Sequence, residues 1–171
     1  VDSYDHTNPL SGYVGVCDAT SDVYDASFPC NDKLIGAWDY TGTGPIDDDG
    51  HGSHTAGTAA GNFVEADVVA PTITVTRDIS GVAPHANIIP YDVCDPGGCP
   101  GAATYAAIDQ AITDGVDVIN FSIGSPSAVD PWLSVLQQAW LSVRTAGIFV
   151  AHSAGNEGPG AATVGSPMAP W

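Results

Sequence analysis

The sequence predicts an α/β fold, a parallel sheet flanked by helices, and three observations carry that prediction. Residues 87–93, 116–121 and 148–151 are short apolar runs bounded by turn residues, the pattern of buried strands. The segments between them are long enough for helices and carry helix stop signals. Strand, helix, strand, helix, strand at these lengths gives parallel neighbours joined by right-handed crossovers.

Taken in order, the chain opens abruptly on V-D-S-Y-D-H-T-N-P-L, with no strand before it. Residues 11–33 are rich in Gly, Ser, Asp, Pro and Cys and read as an extended loop. K-L-I-G-A-W-D-Y at 33–40 is the first expected strand. A run of small residues with His51 at its head then reads as a helix. Residues 62–80 contain T-I-T-V-T, whose β-branched alternation predicts an exposed ribbon. After the strand at 87–93, residues 101–113 form a helix stopped by Asp114-Gly115. Following the strand at 116–121, Asp130-Pro131 is expected to start the next helix, with an N-cap and a proline at its first position. Leu133, Leu136, Trp140 and Val143 would form its apolar stripe, and Gly147 would stop it. The strand at 148–151 follows.

Twenty acids against three basic residues give a formal charge of −17. Nucleic acid and anionic membranes are therefore not expected as partners. Only Glu65 and Glu157 are glutamates, so the charge is mostly aspartate, which favours turns and caps over helix interiors. Such acidity suits a secreted, a salt-tolerant or a calcium-binding protein. A chain of this length can bury roughly 70% of its unfolded surface in one domain. No apolar run approaches the ~18 residues of a membrane span, and no signal peptide is read in the sequence, as expected of a mature secreted chain that has lost it.

Four cysteines fall in two local pairs. Cys94 and Cys99 enclose the turn sequence D-P-G-G, and Cys17 and Cys30 flank a polar loop. Zinc is the rival, but neither pair has C-x-x-C spacing and no histidine adjoins them. Two disulfides are expected, and with them an oxidising, extracellular compartment.

The chemistry gathers around residues 47–61, D-D-D-G-H-G-S-H-T-A-G-T-A-A-G. A helix of Gly, Ser, Thr and Ala suits a place where backbone or substrate must come close. At its start the macrodipole disfavours an imidazolium while nearby carboxylates favour it, a setting that suits His51 as a general base. In open parallel sheets, ligands bind beyond the carboxyl ends of strands. That rule picks out Ser122–Ile123–Gly124–Ser125 and Ser153–Ala154–Gly155–Asn156–Glu157–Gly158.

These stretches resemble the subtilisin-like serine proteases. H-G-S-H-T-A-G-T matches the family's histidine motif over eight consecutive positions, which implies His51 as the catalytic base and His54 as a neighbour inside the helix. G-V-A-P-H-A, D-V-I-N-F-S-I-G and S-A-G-N-E-G match the strand-leading, substrate-holding and oxyanion segments. The resemblance implies a three-layer architecture, Asn156 as the oxyanion-hole side chain, and Ser122, Ile123, Gly124, Ala154 and Gly155 as walls of the substrate pocket. His152 departs from the family's small residue beside that pocket. Asp2, in V-D-S, is the only candidate for the triad acid, although Tyr4 stands where the family has glycine. The family's serine lies in G-T-S-M-A-x-P. Here Gly165-Ser166-Pro167-Met168-Ala169-Pro170 puts proline in the serine's place, so no nucleophile is recognised.

The resemblance thus implies one incomplete catalytic domain over 1–171, with 11–33 a disulfide-closed loop inside it. It implies a secreted endopeptidase acting on polypeptides, needing no cofactor but with room for structural calcium. A zinc hydrolase using His51 and His54 is disfavoured, because zincins place a glutamate in H-E-x-x-H. A non-catalytic peptide-binding protein is the other reading, since the missing serine is what it requires.

Overall fold

The computed structural model describes residues 3–126 and 129–165, and its chain divides into two compact units, Val1–Asp92 and Val93–Trp171. Both are built from parallel strands and helices, which makes the fold α/β.

In the first unit, β1 (Val14–Gly15), β2 (Gly36–Asp39) and β5 (Tyr91–Asp92) form a parallel sheet in the order β1-β2-β5. Trp38 pairs with Tyr91 and Asp39 with Asp92. The expected strand at 87–93 is reduced to the bridge Leu34–Ile88 and the two residues of β5. Pro90 lies between them, and a proline has no N–H to give a ladder. Conversely, the loop at 11–33 yields an unforeseen strand, β1. Gly15 (φ +63°) makes it possible, because a Cβ there would lie 2.0 Å from Ala37 O.

Behind β1 the chain is closed by Cys17–Cys30, with Cα atoms 5.8 Å apart. Val16, Cys17 and Ala37 form the small core of this region, with Phe28 and Cys30 against it. Helix α1 (His51–Ala60) and the antiparallel hairpin β3 (Val64–Ala70) and β4 (Ile73–Ile79) occupy the connection from β2 to β5.

The second unit is a strand–helix–strand arrangement. Helix α2 (Gly101–Asp114) is ended by Gly115 in the left-handed region, as expected from Asp114-Gly115. Strand β6 (Val118–Phe121) pairs in parallel with β7 (Phe149–His152), and α3 (Val135–Thr145) lies between them in sequence. Ile108, Phe121, Trp140, Val143 and Ile148 form the core, where the Phe121 and Trp140 rings meet edge-on at 4.9 Å. Cys94–Cys99 closes the turn before α2. Both expected disulfides are thus formed.

One helix boundary is corrected. Asp130 does not cap α3: its carboxylate accepts from Trp132 N (2.9 Å) in a separate turn. The N-cap is Ser134, whose hydroxyl accepts from Gln137 N. Ser134-Val135-Leu136-Gln137 carries the S-x-x-Q spacing of a capping box, and that signal outweighs the proline. Leu133 consequently lies outside the helix and is 81% exposed, while Trp140 and Val143 keep the buried stripe.

Candidate active site

Helix α1 begins at His51, as the small-residue pattern requires, and both of its ends are held from outside. Gly50 precedes it at φ +90°, a conformation that suits glycine. Asp47 organises the entry. Its Oδ1 accepts from Asp49 N (3.1 Å) and Gly50 N (2.8 Å), and its Oδ2 from Ser53 N (2.7 Å). The Ser53 hydroxyl first, then the backbone N–H groups of Gly50 and Ser53, pull the Asp47 carboxyl down to about 2. A carboxylate at a helix N-terminus satisfies donors that the helix itself cannot. His51 N in turn donates to Asp49 Oδ2 at 3.3 Å. The side chains of His51 and His54 are exposed.

At the other end, Gly81–Ala83 docks on the helix terminus. Gly81 N donates to Gly61 O (2.9 Å), Val82 N to Thr58 O (3.0 Å) and Ala83 N to Ala59 O (2.9 Å). These bonds satisfy carbonyls that a helix end otherwise leaves without partners. The approach is so close that a Cβ on Gly81 would meet Gly61 N at 2.4 Å and Gly57 O at 2.7 Å. The G-V-A-P motif and the small residues of α1 are two halves of one backbone contact.

The terminal arm of the first unit is tied to the next segment. His6 Nε2 lies 3.1 Å from Pro84 O, Asn87 Nδ2 donates to Thr7 O (2.9 Å), and the Tyr4 ring stacks on His85 at 3.8 Å. Asp2, just before this arm, lies outside the described residues, as does Ser166.

In the second unit, the two segments picked out at strand ends leave β6 and β7 side by side. Ser153 N donates to Phe121 O (3.2 Å), and Gly165 N to Ala154 O (3.0 Å). Gly165 passes so near Ser125 that a Cβ on it would lie 2.2 Å from Ser125 O. Ser122 and Ile123 are half-buried, and Gly124, Ala154, Gly155 and Asn156 are exposed. Gly155 adopts φ +94°, which turns the chain just before Asn156. His152 is half-buried, its Nδ1 3.1 Å from Ser153 O. Among the described residues, no group of three or more His, Cys, Asp or Glu side chains is placed to hold a metal ion.

The profile of the Subtilase family, Peptidase S8, matches residues 15–171. This chain is a subtilase. It is 40% identical to the subtilisin-like protease SBT4.13 of Arabidopsis thaliana over 95% of its own length and 21% of that protein's. With SBT1.5 of the same plant it shares 38% identity over 92% of this chain and 21% of that one. The crystal structure of a lanthipeptide protease resembles it with a TM-score of 0.51 at 30% identity, covering 71% of this chain and 32% of that chain. The chain thus spans about a fifth of the length of the curated relatives it matches.

Sequence reasoning missed two carboxylates in this subtilase. Asp47 was visible only as part of an acidic run, yet D-x-x-G, with Ser53 six residues after the Asp, already offers one carboxylate several N–H donors. Asp39, at the end of β2, is the other. Burial pushes its carboxyl up, but bonds from Thr41 N and Oγ, Gly42 N and Gly44 N outweigh that and hold it below the usual range. Both shape the loops leading from β2 to α1.

Proposed function

We propose that this chain supplies the base and the oxyanion donor of a secreted serine endopeptidase. In this reading His51 takes the proton from a serine hydroxyl as it attacks the peptide carbonyl, then returns it to the leaving amine. Asp2 orients the imidazole and stabilises its cation. Asn156 donates its amide N–H to the oxygen as it becomes negative, an interaction whose loss costs about 3–4 kcal/mol of transition-state stabilisation. Ser122, Ile123 and Gly124 form one pocket wall and Ala154 and Gly155 the other, with substrate backbone added as an extended strand. The chemistry calls for no cofactor. Two disulfides support an extracellular site of action.

The observation that carries this reading is the eight-residue H-G-S-H-T-A-G-T match, standing at the exposed start of a helix fixed at both ends. A fluorophosphonate probe tests it, because labelling requires an activated serine. The full-length protein should label, and its His51→Ala variant should not. Equal labelling of the two overturns the reading.

A further inference from the structure

The hairpin β3–β4 is amphipathic, and most of both its faces is open to solvent. Register places Val64, Ala66, Val68 and Ala70 of β3 on one face with Ile79, Arg77, Val75 and Ile73 of β4. Glu65, Asp67 and Val69 share the opposite face with Asp78, Thr76 and Thr74. On the first face Val64 is 51% exposed, Val68 55%, Ile73 59% and Ile79 48%. So much exposed apolar surface in one place is a mark of an interaction site. The second face carries three carboxylates and no basic residue.

The two edges differ. Pro71 and Thr72 form a two-residue turn, so Ala70 and Ile73 are a hydrogen-bonded pair and alternate residues turn their backbone groups outward. On β4 the outward carbonyl of Thr76 already accepts from Arg77 Nη1 at 2.7 Å. On β3 the outward groups belong to Glu65, Asp67 and Val69, and among the described residues β3 pairs with no strand but β4. An unpaired strand edge is a template for a further strand.

We propose that the outer edge of β3 binds an extended polypeptide in which basic and apolar residues alternate. Added as a third strand, its apolar side chains lie beside Val64, Ala66 and Val68, and its basic ones beside Glu65 and Asp67. A second copy of this chain fits poorly. Hairpin edges paired with like faces together bring Glu65 and Asp67 of both copies onto one surface, and like charges on neighbouring strands repel. The −17 formal charge opposes self-association further.

Such binding needs no hydrolysis and is read in the full-length His51→Ala protein. The probe is a dye-labelled, end-capped octapeptide alternating lysine and valine, followed by fluorescence anisotropy. It should bind saturably and more weakly as salt rises, and its Glu-Val counterpart should not bind. An octapeptide of the same composition with lysines and valines in separate blocks should bind at least about tenfold more weakly, because it cannot match both faces. Val69→Pro removes an outward N–H without touching the β3–β4 ladder, and should weaken binding at least about tenfold. Glu65→Gln with Asp67→Asn, which leaves the backbone alone, should weaken it about fivefold or more. Equal affinity for the alternating and block peptides overturns the proposal, as does unchanged affinity in the double variant or in a folded Val69→Pro. So does a concentration-dependent dimer that Val69→Pro abolishes and the peptide fails to displace.

Discussion

Helices α1 and α3 show two ways of holding a helix. α3 is an amphipathic element whose Trp140 and Val143 are buried in the core of its unit, Val143 completely. α1 has almost nothing to bury: Ala60 is its only buried residue. Its ten residues are instead fixed by polar bonds at the ends, the Asp47 carboxylate at one and Gly81–Ala83 at the other. Apolar packing stabilises a helix but covers its face. Holding it by the ends leaves the face with His51 exposed. The division predicts that damage to the open face of α1 appears in activity, whereas damage to its end clamps or to the buried face of α3 appears in stability.

The largest effect should come from His51→Ala. Peptide hydrolysis by the full-length protein should fall at least about 10³-fold, as the proposed role of His51 as general base requires, while the urea midpoint stays put. A large loss of stability would break the contrast. Next, Trp140→Ala should cost about 3–5 kcal/mol in denaturant unfolding and leave kcat of the surviving folded protein near that of the parent.

Gly81→Ala sharpens the contrast, because it attacks α1 through backbone alone. The added Cβ must displace Gly61 N, Ala60 N or Gly57 O, and overpacking of this kind costs about 1–3 kcal/mol. Hydrogen exchange should quicken at Gly61, Val82 and Ala83 amides before it does in α3. Ser134→Ala should cost about 1 kcal/mol by removing the cap of α3, with no change in activity.

The smallest effect has a pH signature. The Asp47 carboxyl is lowered to about 2, below its unfolded value near 4, so its contribution is present above pH 4 and lost as pH falls toward 2. Asp47→Asn should therefore be less stable than the parent at neutral pH, by under about 1 kcal/mol because the group is solvent-screened. The two should converge between about pH 4 and pH 2. A constant gap across that window would show that geometry, not charge, holds the turn.

Much of this was legible in the sequence where one local pattern sufficed. His51 at a helix start, Asp114-Gly115 as a stop, the 62–80 ribbon and both disulfides each rest on a short stretch of chain, at most the thirteen residues from Cys17 to Cys30 for a disulfide. The misreadings came where two signals competed or a distant partner decided. Asp130-Pro131 and Ser134-x-x-Gln137 both propose a helix start, and the capping hydrogen bond selected the second. Strand β1 exists because Val16 N finds Ala37 O across some twenty residues, which composition in 11–33 does not reveal. At the candidate site, the two strand exits follow from topology and Asn156 from the resemblance, whereas Asp47 and Asp39 act through backbone N–H groups, a role that residue type alone does not announce.

The bond from Gly81 N to Gly61 O has a consequence for how this protein can change over generations. It closes the chain at the base of residues 64–79, and the next two amides anchor the returning segment on α1. Residues 64–79 therefore hang from a backbone clamp, and a change in their length is expected to leave the helix that presents His51 in place.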